Sequence, residues 1–586
     1  MKMTPFANMP KKAAEIRLGR DGKFDAWLYS MLIDNNLAFQ MNPDIIASHE
    51  QLAFMVQLAE DQVYLPCSDT IFSLLSVDGD KKRLQTMYYN RSWRIICRII
   101  WSICNDPEER KRILQFCRYR YLQYTALGTL IPSRLVKRMT DLVLAQSFSN
   151  GDPWRGMRHA AFLRHREMLD LPSIRDNLEA MPEEDAPGTV SGMRRMLNRT
   201  EIARLFCLNT MARRWGECAP TSNEVHKAFA SANQELKKIE AFFVQNAMKQ
   251  GTILYLCDAD GGVLFDIMTI RALMRMGHRV IFAVKDSFFF YSPTIDDVHN
   301  DRELEKLLCN AKILDDRNMS KNALLKELHD NRFVIINDGT RERINLYRVS
   351  VTFSRAWKES DIVLCKGWRA TETFLQTSHE FTRDIVCFWS DDNGFHVTLR
   401  KHAATASKIT EEEIRNHADA IIQTMREAHA KGLSVMFYSC IIGSIPGQTE
   451  TAIKVAKTFV GHLRDKLDNV LIINPAEHFV EGMDGDDLMY MWERVQRSGH
   501  INVWRFQTDK DIEQTFALLN QKVPPSWSGK DATFSTGCTK EMRIALDVQS
   551  KNREMQIIGP DPRLFFRRGE YGVGKYFDAT ISRPAD

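Results

Sequence analysis

From residue 252 the chain alternates short apolar runs with amphipathic stretches, and this alternation restricts its fold more than any other feature. "TILYLC" reads as a strand, "VLFDIMTIRALMRMG" as a helix stopped by Gly277, "RVIFAVK" as a strand and "RELEKLLCNAKIL" as a helix. "RFVIIND", "SDIVLCKG" and "DIVCFWS" read as further strands. Such alternation predicts a largely parallel, doubly wound sheet with helices on both faces, an α/β/α domain over residues 250–395. In sheets of this kind ligands bind at the carboxyl ends of the strands. Asp258, Lys285, Asp338, Lys366 and the pair Asp391 and Asp392 each follow an apolar run, so the expected site lies among them.

The flanking regions differ. From about residue 44 to 245 apolar residues recur every three or four positions and glycine is sparse, which predicts a helical N-terminal domain over residues 1–245. Residues 396–430 read as a charged helical connector. Residues 431–586 read as an additional α/β domain with strands "LSVMFYS", "NVLIIN", "INVWRFQ" and "MQIIGP" and helices at 449–466, 482–498 and 509–520. Its loops near Cys538 and near residue 572 are polar and glycine-bearing, and Cys538 reads as a surface or interface thiol.

Seventy-nine Lys and Arg against 75 Asp and Glu leave a net charge of +4, which gives no general case for a nucleic-acid or membrane partner. Twelve scattered cysteines without a CxxC pair read as reduced thiols. The first residues lack a continuous apolar segment, so the expectation is a soluble, cytoplasmic protein.

The strand-end loops carry the chemistry, and each also has a plain structural explanation. In "CDADGGVLFD" carboxylates at the sheet edge precede glycines that admit a phosphate to a helix N-terminus, a pattern suited to Mg²⁺ or Mn²⁺; an acidic helix cap explains it equally. "SPTIDDV" offers Ser292, Thr294, Asp296 and Asp297, and is also a good cap. Lys366 and Gly367 end a strand, where a lysine meets a phosphate or only solvent. "IIGSIPGQTE", with Gly443, Gly447 and Thr449, reads as a turn chosen for its geometry rather than an anion site.

Together "YLCDADGGVLFD", "SPTIDDV", "RVSVTFSRAWKESDIVLCKGW" and "GDPWRGMR" resemble the metal-dependent damage-control phosphatases, the acidic-residue-methyltransferase-like family, across roughly residues 145–390. The resemblance implies a helical domain on an α/β/α core. The implied activity is hydrolysis of a small phosphorylated metabolite, such as a sugar phosphate, with Mg²⁺, Mn²⁺, Co²⁺ or Ni²⁺. It implies Asp258 and Lys366 as catalytic residues, and Gly261, Thr294, Lys366, Gly367 and Glu372 as substrate contacts. The implied metal ligands are Asp258, Asp260, Ser292 and Asp297, with Asp296 near them. Asp258 and Asp266 match the family pattern, whereas Ala259 stands for an Asn, Gly262 for a Glu, Ser292 for an Asp and Ala370 for an Asn. Of the three ligands the family pattern expects, Asp258 alone is kept.

Two other readings use the same residues. A lapsed family member would bind a phosphorylated ligand or a partner protein without hydrolysing it, and the C-terminal domain offers a place for a protein partner or a second copy. The short Asp-x-Asp-Gly stretch also resembles haloacid-dehalogenase-like phosphatases. There Asp258 would be the nucleophile, Asp260 the acid, Lys366 the phosphate contact, and Asp391 or Asp392 the Mg²⁺ ligand.

Overall fold

The computed structural model describes residues 10–19, 21–37, 47, 49–59, 61–76, 82–147, 151–182, 188–239, 251–257, 259, 261–316, 319–404, 409–480 and 482–566. The chain forms two compact units, one of residues 1–315 and 330–406 and one of residues 316–329 and 407–586. Among the described residues no helix is long and apolar enough to cross a membrane.

In the first unit a two-residue strand β1 (Val56–Gln57) pairs with β7 (Glu380–Phe381). The main sheet has seven strands: β2 (Thr252–Leu256), β3 (Arg279–Val284), β4 (Lys312–Leu314), β5 (Phe333–Asn337), β6 (Ile362–Lys366), β8 (Asp384–Asp391) and β9 (Gly394–Arg400). Their order is β4-β5-β3-β2-β6-β8-β9, parallel except for β9. Every residue of β2 and β6 is buried, as expected of strands covered on both faces. β3 lies on one side of β2 and β6 on the other, so the winding reverses there and opens a crevice at the carboxyl ends of β2 and β6.

The helix Val263–Arg275 follows β2 and buries Leu264, Phe265, Ile267, Ile270 and Leu273. Its apolar face joins Phe206 and Leu208 of the long helix Val190–Glu217 and the strand residues Ile253 and Tyr255 in one core. Earlier helices, Lys82–Ile103, Pro107–Thr125 and Pro132–Gln146, form a separate core around Ile96, Ile100, Cys117 and Met139.

The second unit holds a four-stranded parallel sheet of β10 (Ser434–Ser439), β11 (Val470–Ile473), β12 (Val503–Phe506) and β13 (Gln556–Ile558), in the order β11-β10-β12-β13. The helix after β10 runs Thr449–Lys466.

Three local expectations are corrected. The helix expected over 302–314 ends at Leu308, once Leu304 and Leu308 are buried, and Lys312–Leu314 is instead the edge strand β4. The sheet continues past residue 395, because β9 returns antiparallel to β8 through residue 400. The polar stretch around Cys538 is the helix Thr536–Lys551, capped by the Ser535 hydroxyl, with Cys538, Met542 and Ala545 on its buried face. Cys538 is therefore a core thiol whose Sγ donates to the Cys440 carbonyl, and burial pushes its pKa well up. The glycine-bearing loop near residue 572 lies outside the described residues.

Candidate functional site

The loops at the carboxyl ends of β2, β3, β5 and β6 meet around a cavity of about 40 Å³. Cys257 and Ala259 reach it from β2, Lys285 and Ser292 from β3, Asp338 and Arg343 from β5, and Lys366, Arg369 and Ala370 from β6. A wider groove of about 510 Å³ lies elsewhere, between the helices Pro172–Glu179, Val190–Glu217 and Val263–Arg275. That groove lies among helices, whereas the smaller cavity lies at the carboxyl ends of the strands, where sheets of this kind bind ligands, so the smaller cavity is the candidate site.

Asp258 and Asp260 lie outside the described residues. The glycines after them hold the turn, with φ of +89° at Gly261 and +92° at Gly262, a region that L side chains rarely adopt. A Cβ on Gly262 would come within 3.2 Å of Ala212 Cβ, Asn209 Oδ1 and Lys366 Nζ. A side chain at residue 262 would therefore be strained in this turn. The Tyr291 N–H donates to the Ala259 carbonyl and ties this turn to the Ser292 loop.

Lys366 projects from the end of β6 under the glycine turn. Its Nζ donates to the Gly261 carbonyl at 2.5 Å and to the Asp266 oxygens at 3.0 and 3.1 Å, all buried. Asp266 Oδ1 also accepts the Tyr255 hydroxyl at 2.6 Å, which in turn accepts from Asn209 Nδ2. Burial, followed by the Asp266 charge, raises the Tyr255 pKa well above its ordinary value and keeps the phenol neutral. Lys285 is enclosed in the same way: its Nζ donates to Asp338 Oδ2 at 2.6 Å, Thr340 Oγ1 at 2.8 Å and the Glu342 carbonyl at 2.8 Å. Each ammonium has three donors, so both are filled by protein partners.

The Ser292 loop has a different construction. Ser292 is buried and lines the cavity, and its Oγ has no hydrogen-bond partner among the described residues. Thr294 and Asp297 make a reciprocal helix cap: Thr294 Oγ1 accepts the Asp297 N–H, and Asp297 Oδ2 accepts the Thr294 N–H and hydroxyl. Asp297, expected as a metal ligand, has both oxygens taken as well by Arg158, at 2.8 and 2.7 Å. Arg158 also pairs with Asp152 of the "GDPWRGM" stretch, and these carboxylates raise its pKa against the opposing effect of burial. Asp297 therefore anchors the loop to the helix Arg155–Leu169, and Asp296 faces outward toward Arg155.

The expected contacts in the Lys-Gly loop are also resolved. Gly367 caps the helix Trp368–Phe374, and Glu372 pairs with Arg343 Nη1 at 2.7 Å. Arg343 further donates to Thr373 Oγ1 and to the Arg369 carbonyl, which fixes a guanidinium at the cavity wall. Asp391 and Asp392 sit at the turn of the β8–β9 hairpin, where Asp391 bonds His396 at 2.9 Å, and neither lines the cavity. That placement removes the Mg²⁺ ligand required by the haloacid-dehalogenase-like reading.

Arg343, Arg369, Arg158 and His165 were not singled out by sequence. His165 lies behind the glycine turn, lining a cavity of about 20 Å³ with Gly261, Gly262 and Arg158. Burial, then the Lys366 charge, lowers its pKa to about 4, so the imidazole is neutral; its Nδ1 has no partner among the described residues.

Among the described residues no group of three His, Cys, Asp or Glu side chains is placed to hold a metal ion. The carboxylates of Asp266, Asp297 and Asp338 do not fit one, because each is matched to a buried cation.

Residues 105–390 match the damage-control phosphatase ARMT1-like domain. A DUF89 family protein from Pyrococcus horikoshii, known from its crystal structure, aligns over 52% of this chain and 90% of its own at 17% identity and a TM-score of 0.35. No curated protein matches the chain. Over residues 105–390, just under half of its length, the chain thus resembles the damage-control phosphatase ARMT1-like domain.

Proposed function

We propose that the crevice at the ends of β2 and β6 takes a small phosphorylated metabolite, such as a sugar phosphate, and that the protein is a phosphatase-like member of its family. The observation that carries this reading is the cavity itself. It lies where the sheet reverses its winding, bordered by Lys285, Lys366 and the fixed Arg343, and by Ser292, whose Oγ has no partner among the described residues. A guanidinium recognises a phosphate with two parallel hydrogen bonds, and Arg343 and Arg369 bring guanidinium groups to the cavity wall, whereas the lysine charges are each balanced by a buried aspartate.

The family is generally metal-dependent. In this chain Asp258 and Asp260 would supply carboxylates to a divalent ion, and Ser292 Oγ a neutral oxygen. Such an ion, when bound, supplies Lewis acidity toward a phosphoryl oxygen. Arg343 orients the phosphate, and Lys366 holds the Gly261 carbonyl and so sets the shape of the turn that carries the acidic residues.

A second reading, binding without hydrolysis, is favoured by one observation: both lysine ammonium groups are saturated by internal partners. Phosphate release from a panel of phosphometabolites with Mg²⁺, Mn²⁺, Co²⁺ or Ni²⁺ separates the two. Release that is lost in Asp258→Ala supports the phosphatase. Binding of a sugar phosphate without release, weakened in Arg343→Ala, supports the ligand-binding member.

A further inference from the structure

We propose that the outer face of the helical hairpin Lys82–Ile103 and Pro107–Thr125 binds single-stranded nucleic acid, a role separate from the strand-end cavity. Over residues 82–125 there are ten Lys or Arg against three Asp or Glu, whereas the whole chain carries 79 against 75. The near-neutral total hides a concentrated positive face. The three acids, Asp106, Glu108 and Glu109, all sit at the bend, where Asp106 caps the second helix, so the length of the hairpin is left basic.

The placement is ordered. Met87, Arg91, Arg94, Arg98 and Trp101 follow one another at three- and four-residue steps along a single exposed stripe of the first helix. At a rise of about 1.5 Å per residue that stripe is roughly 21 Å long, the reach of several nucleotides rather than of one metabolite. Arg91, Arg94 and Arg98 have no acidic partner among the described residues. Trp101 is 59% exposed, with the Arg110 guanidinium 3.9 Å from its ring centroid on one face. The second helix adds Arg118 and Tyr119, the latter 60% exposed. Arginines interleaved with open aromatic faces neutralise phosphates and stack bases.

The same geometry argues against a lipid surface. A helix that lies in a membrane buries a continuous apolar face in the acyl region. Here the apolar faces are already consumed by the protein core, with Tyr89, Ile96 and Ile100 of the first helix packed against Ile113 and Cys117 of the second. What remains outside is basic and carries isolated rings.

Fluorescence anisotropy of the full chain with a labelled uridine oligomer of about 20 nucleotides, from about 50 to about 200 mM salt, tests this. The oligomer is expected to bind with an affinity that falls with log salt. Arg91→Gln/Arg94→Gln/Arg98→Gln weakens it at least ~10-fold and flattens the log–log slope by about 2, at ~0.7 per single-strand phosphate. Trp101→Ala weakens binding at least ~5-fold and leaves the slope unchanged. Parent-like thermal melts of these surface variants tie the loss to the face itself. No saturable binding, or equal binding by the triple variant, overturns the proposal. Binding of phosphatidylserine vesicles or polyglutamate in place of RNA also overturns it, by assigning the face to a lipid or to an acidic protein.

Discussion

Lys366 and Asp266 form a buried ion pair, with Nζ 3.0 and 3.1 Å from the two carboxylate oxygens, and the pair fixes the turn that follows β2. Removing one partner of such a pair strands a charge away from water. Asp266→Ala is predicted to lower stability by roughly 3–5 kcal/mol in urea unfolding, and Lys366→Met similarly. The double variant Asp266→Leu/Lys366→Met loses much less than the sum of the two, because no uncompensated charge remains. Additive losses would contradict this.

Arg158 serves two carboxylates, Asp152 and Asp297, and through Asp297 it holds the loop that presents Ser292. Arg158→Ala is predicted to cost roughly 3–5 kcal/mol by leaving both carboxylates unpaired. Arg158→Lys recovers little of it, because a point charge does not replace the two-pronged contact with Asp297. Chemical denaturation of the two variants checks the comparison.

The turn at Gly262 has a positive φ and leaves a Cβ only tight contacts of 3.2 Å. Gly262→Ala is predicted to lower stability by about 1–2 kcal/mol from backbone strain alone. An unchanged melting temperature would contradict the assigned turn.

His165 sets an acid limit. Its pKa falls from 6.5 to about 4 on folding, so only the unfolded chain takes up its proton between those values. The stability it contributes is full above pH 6.5 and is lost as pH drops toward 4, on the order of 3 kcal/mol in total. His165→Gln is predicted to flatten that part of a melting-temperature profile.

Glu541 in the second unit acts in the opposite sense. Burial raises its pKa from 4.5 to about 7, so the folded form stays protonated where the unfolded form ionises. Stability is full below pH 4.5 and declines until pH 7, by on the order of 3 kcal/mol. Glu541→Gln removes the decline and is predicted to raise the melting temperature above pH 7.

Much of the fold was legible because it is local. The apolar runs of β2, β3, β5, β6 and β8 and the glycine that stops the helix after β2 are written in consecutive residues. The antiparallel β9 was missed because it is not a continuous apolar run, although "GFHVTLR" alternates Phe395, Val397 and Leu399 with polar residues as a half-covered strand does, and three-residue β4 is too short to show a period. The helix Thr536–Lys551 was hidden by polar residues between Cys538, Met542 and Ala545, although that spacing is helical. At the site, the acidic and lysine loops could be found by position, but their partners could not. Arg158 meets Asp297 across 139 residues and Lys366 meets Asp266 across 100, and no local pattern encodes such pairs. Those pairings turn Asp297 from an expected ligand into a loop anchor.

The most direct test of the strand-end assignment is phosphate release from a phosphometabolite panel with added divalent ions, comparing the parent with Asp258→Ala and Asp391→Asn. The account predicts release that Asp258→Ala reduces by at least ~100-fold, equivalent to about 2.7 kcal/mol in the barrier, and that Asp391→Asn leaves unchanged. Release that survives Asp258→Ala, or that is lost in Asp391→Asn, would contradict it.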